Sequence, residues 1–128
     1  LSTGFQIIDA IHPRAIITDS VEVSQGPTMM ANSVINAATR LGANVIVNTG
    51  AIVEHDCIIE DHVHIATGAH VASTVHVGEG AHIGIGASIR QAIKVGQHSV
   101  VGAGAVVVRD VPDNVTVVGV PARLLKRR

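Results

Sequence analysis

The chain has no tryptophan, no tyrosine and a single phenylalanine among 128 residues, although 47% of them are apolar. A core without rings must be assembled from thin aliphatic layers. Charge is scarce as well. Only 15% of the residues are charged and the formal net charge is -1, which excludes a chain made to coat nucleic acid or an anionic membrane surface. The high apolar fraction excludes intrinsic disorder. One cysteine, Cys57, rules out an internal disulfide framework and suits a reducing, cytoplasmic compartment. The longest uncharged stretches carry Asn, Ser and Gln, so none reads as a membrane span. The chain opens at Leu1 without a signal-peptide pattern and without Met, which points to a processed or excised piece.

What is present is a repeat, and repeats decide a fold before anything else does. Every sixth residue from Ile11 to Val107 is aliphatic or Met: seventeen positions without one slip of frame. Two residues before each of the later ones stands a second, mostly small column, running Ala15, Val21, Pro27, Ser33, Thr39, Val45 and on to Ala105. In an extended strand residues i and i−2 share a face, so both columns point inward. The residue between them points outward, where His64, His70, His76, His82, Lys94 and Val100 stand. A period of six does not track 3.6, so a helix is excluded and the pattern reads strand, turn, strand, turn. Glycines that follow the large aliphatic, such as Gly78, Gly84, Gly96 and Gly102, are expected to make the tight corners.

The frame stops after Val107. Arg109 to Asn114, with Pro112 unable to donate to a ladder, reads as a turn. Val115 to Leu125 reads as a returning strand followed by a short helix with a basic end. Arg109 onward carries a net +3 and the preceding part −4. Such a basic end is either a solvated terminus or a place for phosphates. The expected organisation is a remnant or linker over 1–10, with Phe5, Ile7 and Ile8 as a first strand or linker, the repeat domain over 11–108, and a tail over 109–128 that packs back on it.

The most pointed segment for chemistry is Asn48-Thr49-Gly50-Ala51-Ile52-Val53-Glu54-His55-Asp56-Cys57. His55 falls at a corner between two acids, and a carboxylate beside an imidazole fixes its tautomer and stabilises its cation, as a general base requires. Taken by itself, the triplet reads first as a surface histidine in a charged loop. Cys57 belongs to the inward column, where a small thiol is buried filler. Gly84-Ile85-Gly86 and Gly102-Ala103-Gly104 lack the strand–turn–helix setting of a dinucleotide loop and are corner glycines.

The hexads resemble those of the left-handed parallel β-helix, an all-β solenoid in which three hexads, eighteen residues, make one triangular coil. In finer detail the chain resembles the sialic-acid O-acetyltransferase and amino-sugar N-acetyltransferase family of hexapeptide-repeat acyltransferases. The blocks that carry this resemblance are Ile11-His12-Pro13, Asn48 to Ala51, Val53 to Cys57, His62 to Ala66, and Val118-Gly119-Val120-Pro121-Ala122-Arg123. It implies an acetyl-CoA-dependent transferase acting on an amine or hydroxyl of a nucleotide-linked sugar, with His55 as base, oriented by Asp56 or, second, by Glu54. It implies a homotrimer, with coenzyme A lying along corners between subunits and with His64, Ser73, Ile85, Ala103, Pro121 and Arg123 binding the coenzyme. Asn48 maps to an acceptor contact. Ser73 stands directly over His55 where a glycine is common, and Thr67 where proline is common. No metal, nucleic acid or membrane partner is implied. The resembled family carries a further N-terminal, Rossmann-like domain that helps bind the sugar nucleotide.

Two other readings use the same solenoid. A γ-type carbonic anhydrase needs zinc-binding histidines, including a pair five residues apart; none of the eight histidines here are so spaced. A trimeric scaffold whose hexads merely stack needs no site at all.

Overall fold

The structure is a computed structural model that describes residues 4–126. It is an all-β solenoid of two-residue strands, and its fold is that of the left-handed parallel β-helix. The first face carries strands Ala10–Ile11, Thr28–Met29, Ile46–Val47, His64–Ile65, His82–Ile83, Val100–Val101 and Thr116–Val118. The second runs from Ile16–Ile17 through Ile52–Val53 and His70–Val71 to Val106–Val107. The third runs from Glu22–Val23 through Ile58–Ile59 and His76–Val77 to Lys94–Val95. Pairing is parallel with an eighteen-residue register, as in His64 with His82 and Val53 with Val71. Backbone groups are therefore satisfied by the coils above and below rather than by sequence neighbours.

Both inward columns are buried. Met29, Ile35, Val47, Val53, Ile65, Val71 and Ile83 are fully enclosed, as are Val45, Ala51, Cys57 and Ala69 of the small column. The triangular interior leaves room for nothing larger, which is the physical reason rings are missing. Burial weakens toward the first coil, where Ile11 and Val23 are exposed. Residues 4–9 form no strand and Phe5 and Ile8 lie open.

Corner chemistry differs from the expectation. Gly78, Gly84, Gly96 and Gly102 do not adopt positive φ. Their missing Cβ instead leaves space for the next coil: a Cβ on Gly84 would lie 2.6 Å from the Val101 carbonyl oxygen. The left-handed residue comes two positions later, third after the aliphatic in most coils, at Asn32, Ala38, Asn44, Asp56, His62, Thr74, Ala92 and His98 as well as at glycines such as Gly50 and Gly68. Where a glycine follows the aliphatic it serves close approach, and the left-handed residue is a separate site two positions on.

The top of the solenoid also departs from the reading above. Val111 bridges Val95, and Val100 pairs with Thr116, both at a sixteen-residue offset. The ladder therefore continues past Val107 with two residues removed from its last coil. The expected short helix of the tail is absent among the described residues. Gly119 to Ala122 form a turn held by Val106, and Arg123–Leu124 pairs antiparallel with Val117–Val118. The last strand's free edge offers Leu125 a backbone partner at Thr116, and strand pairing satisfies the groups a helix would have had to satisfy internally. The two terminal arginines of the basic end lie outside the described residues. No helix among the described residues is long and apolar enough to cross a membrane.

Candidate active site

The corner between the second and third faces is built by Glu54-His55-Asp56-Cys57, between strands Ile52–Val53 and Ile58–Ile59. Asp56 is the left-handed residue, with φ of 59°, a conformation that short polar side chains tolerate. His55 Nδ1 lies 2.8 Å from Asp56 Oδ2, and both side chains are exposed. An Nδ1–H donated to that carboxylate leaves Nε2 with its lone pair free toward solvent, the tautomer a base needs. Glu54, the second choice of orienting acid, is engaged elsewhere: its Oε2 accepts from Asn36 Nδ2 at 3.1 Å. Of the two flanking acids, the structure sets Asp56 on the imidazole.

One coil up, the Thr74 amide donates to the His55 carbonyl at 3.1 Å, which puts Ser73 over His55 as the eighteen-residue stack requires. The Ser73 N–H has no hydrogen-bond acceptor among the described residues and is available to an incoming oxyanion.

A second group lies along the corner between the first and second faces. Asn48 opens the third turn of this corner, Ile85 and Ala103 stand exposed in higher ones and are linked through the Gly104 amide on the Ile85 carbonyl at 2.8 Å, and the Gly119–Ala122 turn with Pro121 caps the column. His64, outward on the first face, joins this group: its Nε2 is 3.3 Å from Asn48 Nδ2. The His82 ring meets His64 edge-on, with centroids 4.8 Å apart and planes at 89°. Burial, and then the neighbouring His82, hold the His64 imidazole below its ordinary pKa of 6.5, so it is uncharged at neutral pH. Arg123, with Arg109 and Lys126, lines a groove of about 420 Å³ at the top.

The structure therefore gathers the site residues into two groups at opposite margins of the second face, and one chain does not bring them together. His55, Asp56, Glu54 and Ser73 lie along one edge. Asn48, His64, Ile85, Ala103 and Pro121 lie along the other. Sequence reasoning missed the residues behind the first group. Thr39 Oγ1, fully buried, donates to the Glu54 carbonyl at 2.9 Å and accepts from the Cys57 amide at 3.3 Å. Cys57 Sγ donates to the Ala72 carbonyl at 3.1 Å, and burial pushes its thiol pKa up, which makes it structural rather than nucleophilic. The signal was a hydroxyl in an otherwise aliphatic column. No three His, Cys, Asp or Glu side chains converge as a metal site among the described residues.

The fold is that of the left-handed β-helix acetyltransferases. Among solved structures, the chain is similar to a perosamine N-acetyltransferase from Caulobacter crescentus, in a histidine-to-asparagine variant bound to CoA and GDP-perosamine, at 40% identity and a TM-score of 0.97 over 98% of this chain and 60% of that one. The acetyltransferase domain of PglB from Neisseria gonorrhoeae FA1090, seen also with acetyl coenzyme A, matches at 44% identity and 0.94 over 97% and 60%. WeeI from Acinetobacter baumannii AYE matches at 36% and 0.88 over 90% and 57%. The chain thus spans about 60% of the length of these proteins. No protein-family model and no curated protein matches it.

Proposed function

We propose that this chain is the acetyl-transfer domain of an acetyl-CoA-dependent sugar acetyltransferase of the hexapeptide-repeat family, with His55 as general base. The observation that carries the reading is the His55–Asp56 pair, 2.8 Å apart on an exposed corner with Nε2 free. The complexes of the perosamine enzyme with CoA and GDP-perosamine support the coenzyme and a nucleotide-linked sugar as acceptor.

In this mechanism His55 Nε2 takes a proton from the acceptor's amine or hydroxyl as that atom forms a bond to the acetyl carbonyl carbon. The Ser73 N–H holds the resulting oxyanion. The carbon–sulfur bond then breaks, and the imidazolium returns the proton to the CoA thiolate, leaving acetylated sugar and free CoA. A positioned base contributes on the order of 10²–10⁴-fold. His64, held by Asn48, offers a neutral imidazole near the acetyl end. Ile85, Ala103 and Pro121 provide the small, open edge along which the pantetheine arm runs, Arg123 a charge for phosphate, and Asn48 an acceptor contact.

The two groups meet only if a second copy supplies one of them, so the reading includes a homotrimer with sites between subunits. Apart from Arg123 on the antiparallel strand at the top, strand side chains facing outward from the first and second faces carry no acid, Lys or Arg, whereas the third face presents Glu22, Arg40 and Lys94. That asymmetry supports burying two faces against neighbours and leaving the third in water. Residues 1–10 serve as a linker, 11–108 as the catalytic solenoid and 109–128 as its tail, in a cytoplasmic enzyme.

Titration calorimetry with acetyl-CoA, followed by an acetyl-transfer screen over UDP-4-amino sugars and sialic acids, tests the reading and separates N- from O-acetylation. Saturable binding is expected. No binding at about millimolar ligand, some −4 kcal/mol of affinity, would favour the scaffold instead.

A further inference from the structure

We infer that Thr39, fifteen residues before the Glu54 carbonyl it bonds and one coil below, is a positioning residue for the His55–Asp56 pair; this rests on the function proposed above. Turns along the first-to-second corner close on themselves. The Ala51 amide donates to the Asn48 carbonyl and the Ala69 amide to the Ala66 carbonyl, both at 3.1 Å. In the Glu54–Cys57 turn the corresponding groups instead flank a foreign hydroxyl: Thr39 Oγ1 donates to the Glu54 carbonyl and accepts from the Cys57 amide. His55 and Asp56 are the two residues spanned by that insertion. The 36–39, 72–75 and 90–93 turns of the same corner are open as well, with Ala38, Thr74 and Ala92 at φ of 60°, so the hydroxyl does not open the turn; it tethers both ends of the segment that carries the His55–Asp56 pair.

Position matters as much as bonding. Only Ser33, Thr39 and Ser99 are polar among the fully buried side chains of the described residues. A buried hydroxyl without partners is costly, and Thr39 satisfies both its donor and an acceptor site on the one turn that carries the proposed base. Cys57 repeats the donation one coil higher, its thiol on the Ala72 carbonyl of the turn that presents Ser73. The two side chains form a short polar rail behind the proposed base and the proposed oxyanion donor. Ser99 makes the same insertion in a remote turn, donating to the Pro112 carbonyl and accepting from the Val115 amide, and so supplies an internal control.

Thr39→Val keeps the volume and removes the hydroxyl, which frees both ends of the turn. The expected result is a fall in kcat on the order of tenfold, the scale of a sub-ångström misplacement of a catalytic group, with KM for acetyl-CoA unchanged because the coenzyme edge is untouched. Thr39→Ser restores kcat. Ser99→Ala lowers the melting temperature comparably yet leaves kcat within about twofold. Ring ¹⁵N spectra of His55 report the Nδ1–H population directly, and in Thr39→Val that population is expected to drop. Should the valine variant not fold, Thr39→Ala, which also lacks the hydroxyl, carries the same measurements. The inference is overturned if Thr39→Val has wild-type kcat and an unchanged His55 spectrum, if the serine variant is as slow as the valine one, or if Ser99→Ala slows turnover equally. Should the wild type transfer no acetyl group, the proposed function fails, while the His55 spectrum still decides the role of Thr39.

Discussion

Six residues separate two turns that use the same pair of side chains in opposite order. Glu54–Cys57 carries His55 then Asp56; Glu60–Val63 carries Asp61 then His62. Each turn has its third residue in the left-handed region, Asp56 at φ 59° and His62 at 60°. In the first turn that residue is the acid, and its carboxylate swings back to the imidazole before it. In the second it is the histidine, and the pair never forms. Asp61 Oδ1 reaches down to the Ala43 amide at 2.8 Å, and His62 Nδ1 meets Asn44 Nδ2 at 3.2 Å. Composition is equal; the residue placed at the left-handed position decides whether an imidazole gains a carboxylate or an amide.

The largest expected consequence separates the two histidines. His55→Ala should lower acetyl transfer by at least about 10²-fold, the low end of what a positioned base supplies, while His62→Ala leaves kcat within about twofold. Circular dichroism and melting temperature should stay near wild type in both, since each side chain is exposed. Equal activity of the two variants would erase the distinction and remove His55 from its role. A smaller effect follows at the acid. Asp56→Asn keeps the shape but reverses the preferred tautomer, and a buried triad loses about 10⁴-fold on such a change. Asp56 is 59% exposed, so water takes over part of its work and a loss of roughly tenfold is expected. Glu54→Gln, whose carboxylate faces Asn36, should leave the rate near wild type, and measuring kcat for both acids tests which one holds the base.

Much of this was legible in the chain. The column from Ile11 to Val107 places each strand and hence each corner, so His55 on an edge and Ser73 above it follow from counting by eighteen. The choice between Glu54 and Asp56 did not, because it depends on which corner residue has positive φ, and glycine, the usual marker, is missing at 56. Thr39 was visible as a hydroxyl among aliphatics, but its partners lie fifteen and eighteen residues away and only the stacked coils show that they belong to the base's turn. The tail was misread for a related reason: a free strand edge at Thr116–Val118 outcompetes local helix preference, and sequence periodicity carries no record of that edge.

A third imidazole extends the contrast with the gentlest effect. His64 has an amide partner, as His62 does, but it is half-buried, and Ile46 and His82 face it from the neighbouring strands, with Asn48 on its Nε2. No acid side chain stands on those strands to stabilise its cation. Burial and the adjacent His82 lower its pKa, whereas in the unfolded chain it returns to about 6.5. Between the lowered value and 6.5 the unfolded state binds more protons than the folded one, so stability rises with pH through that window and is lost on acidification. Melting temperature should therefore fall from about pH 7.5 to about pH 5.5 more steeply in the wild type than in His64→Gln, whose side chain does not titrate there. His82→Gln removes the second cause but not the burial, and should flatten the slope only in part. An unchanged slope in His64→Gln would mean that this ring protonates as freely in the fold as in the open chain, and that its place against His82 costs its cation nothing.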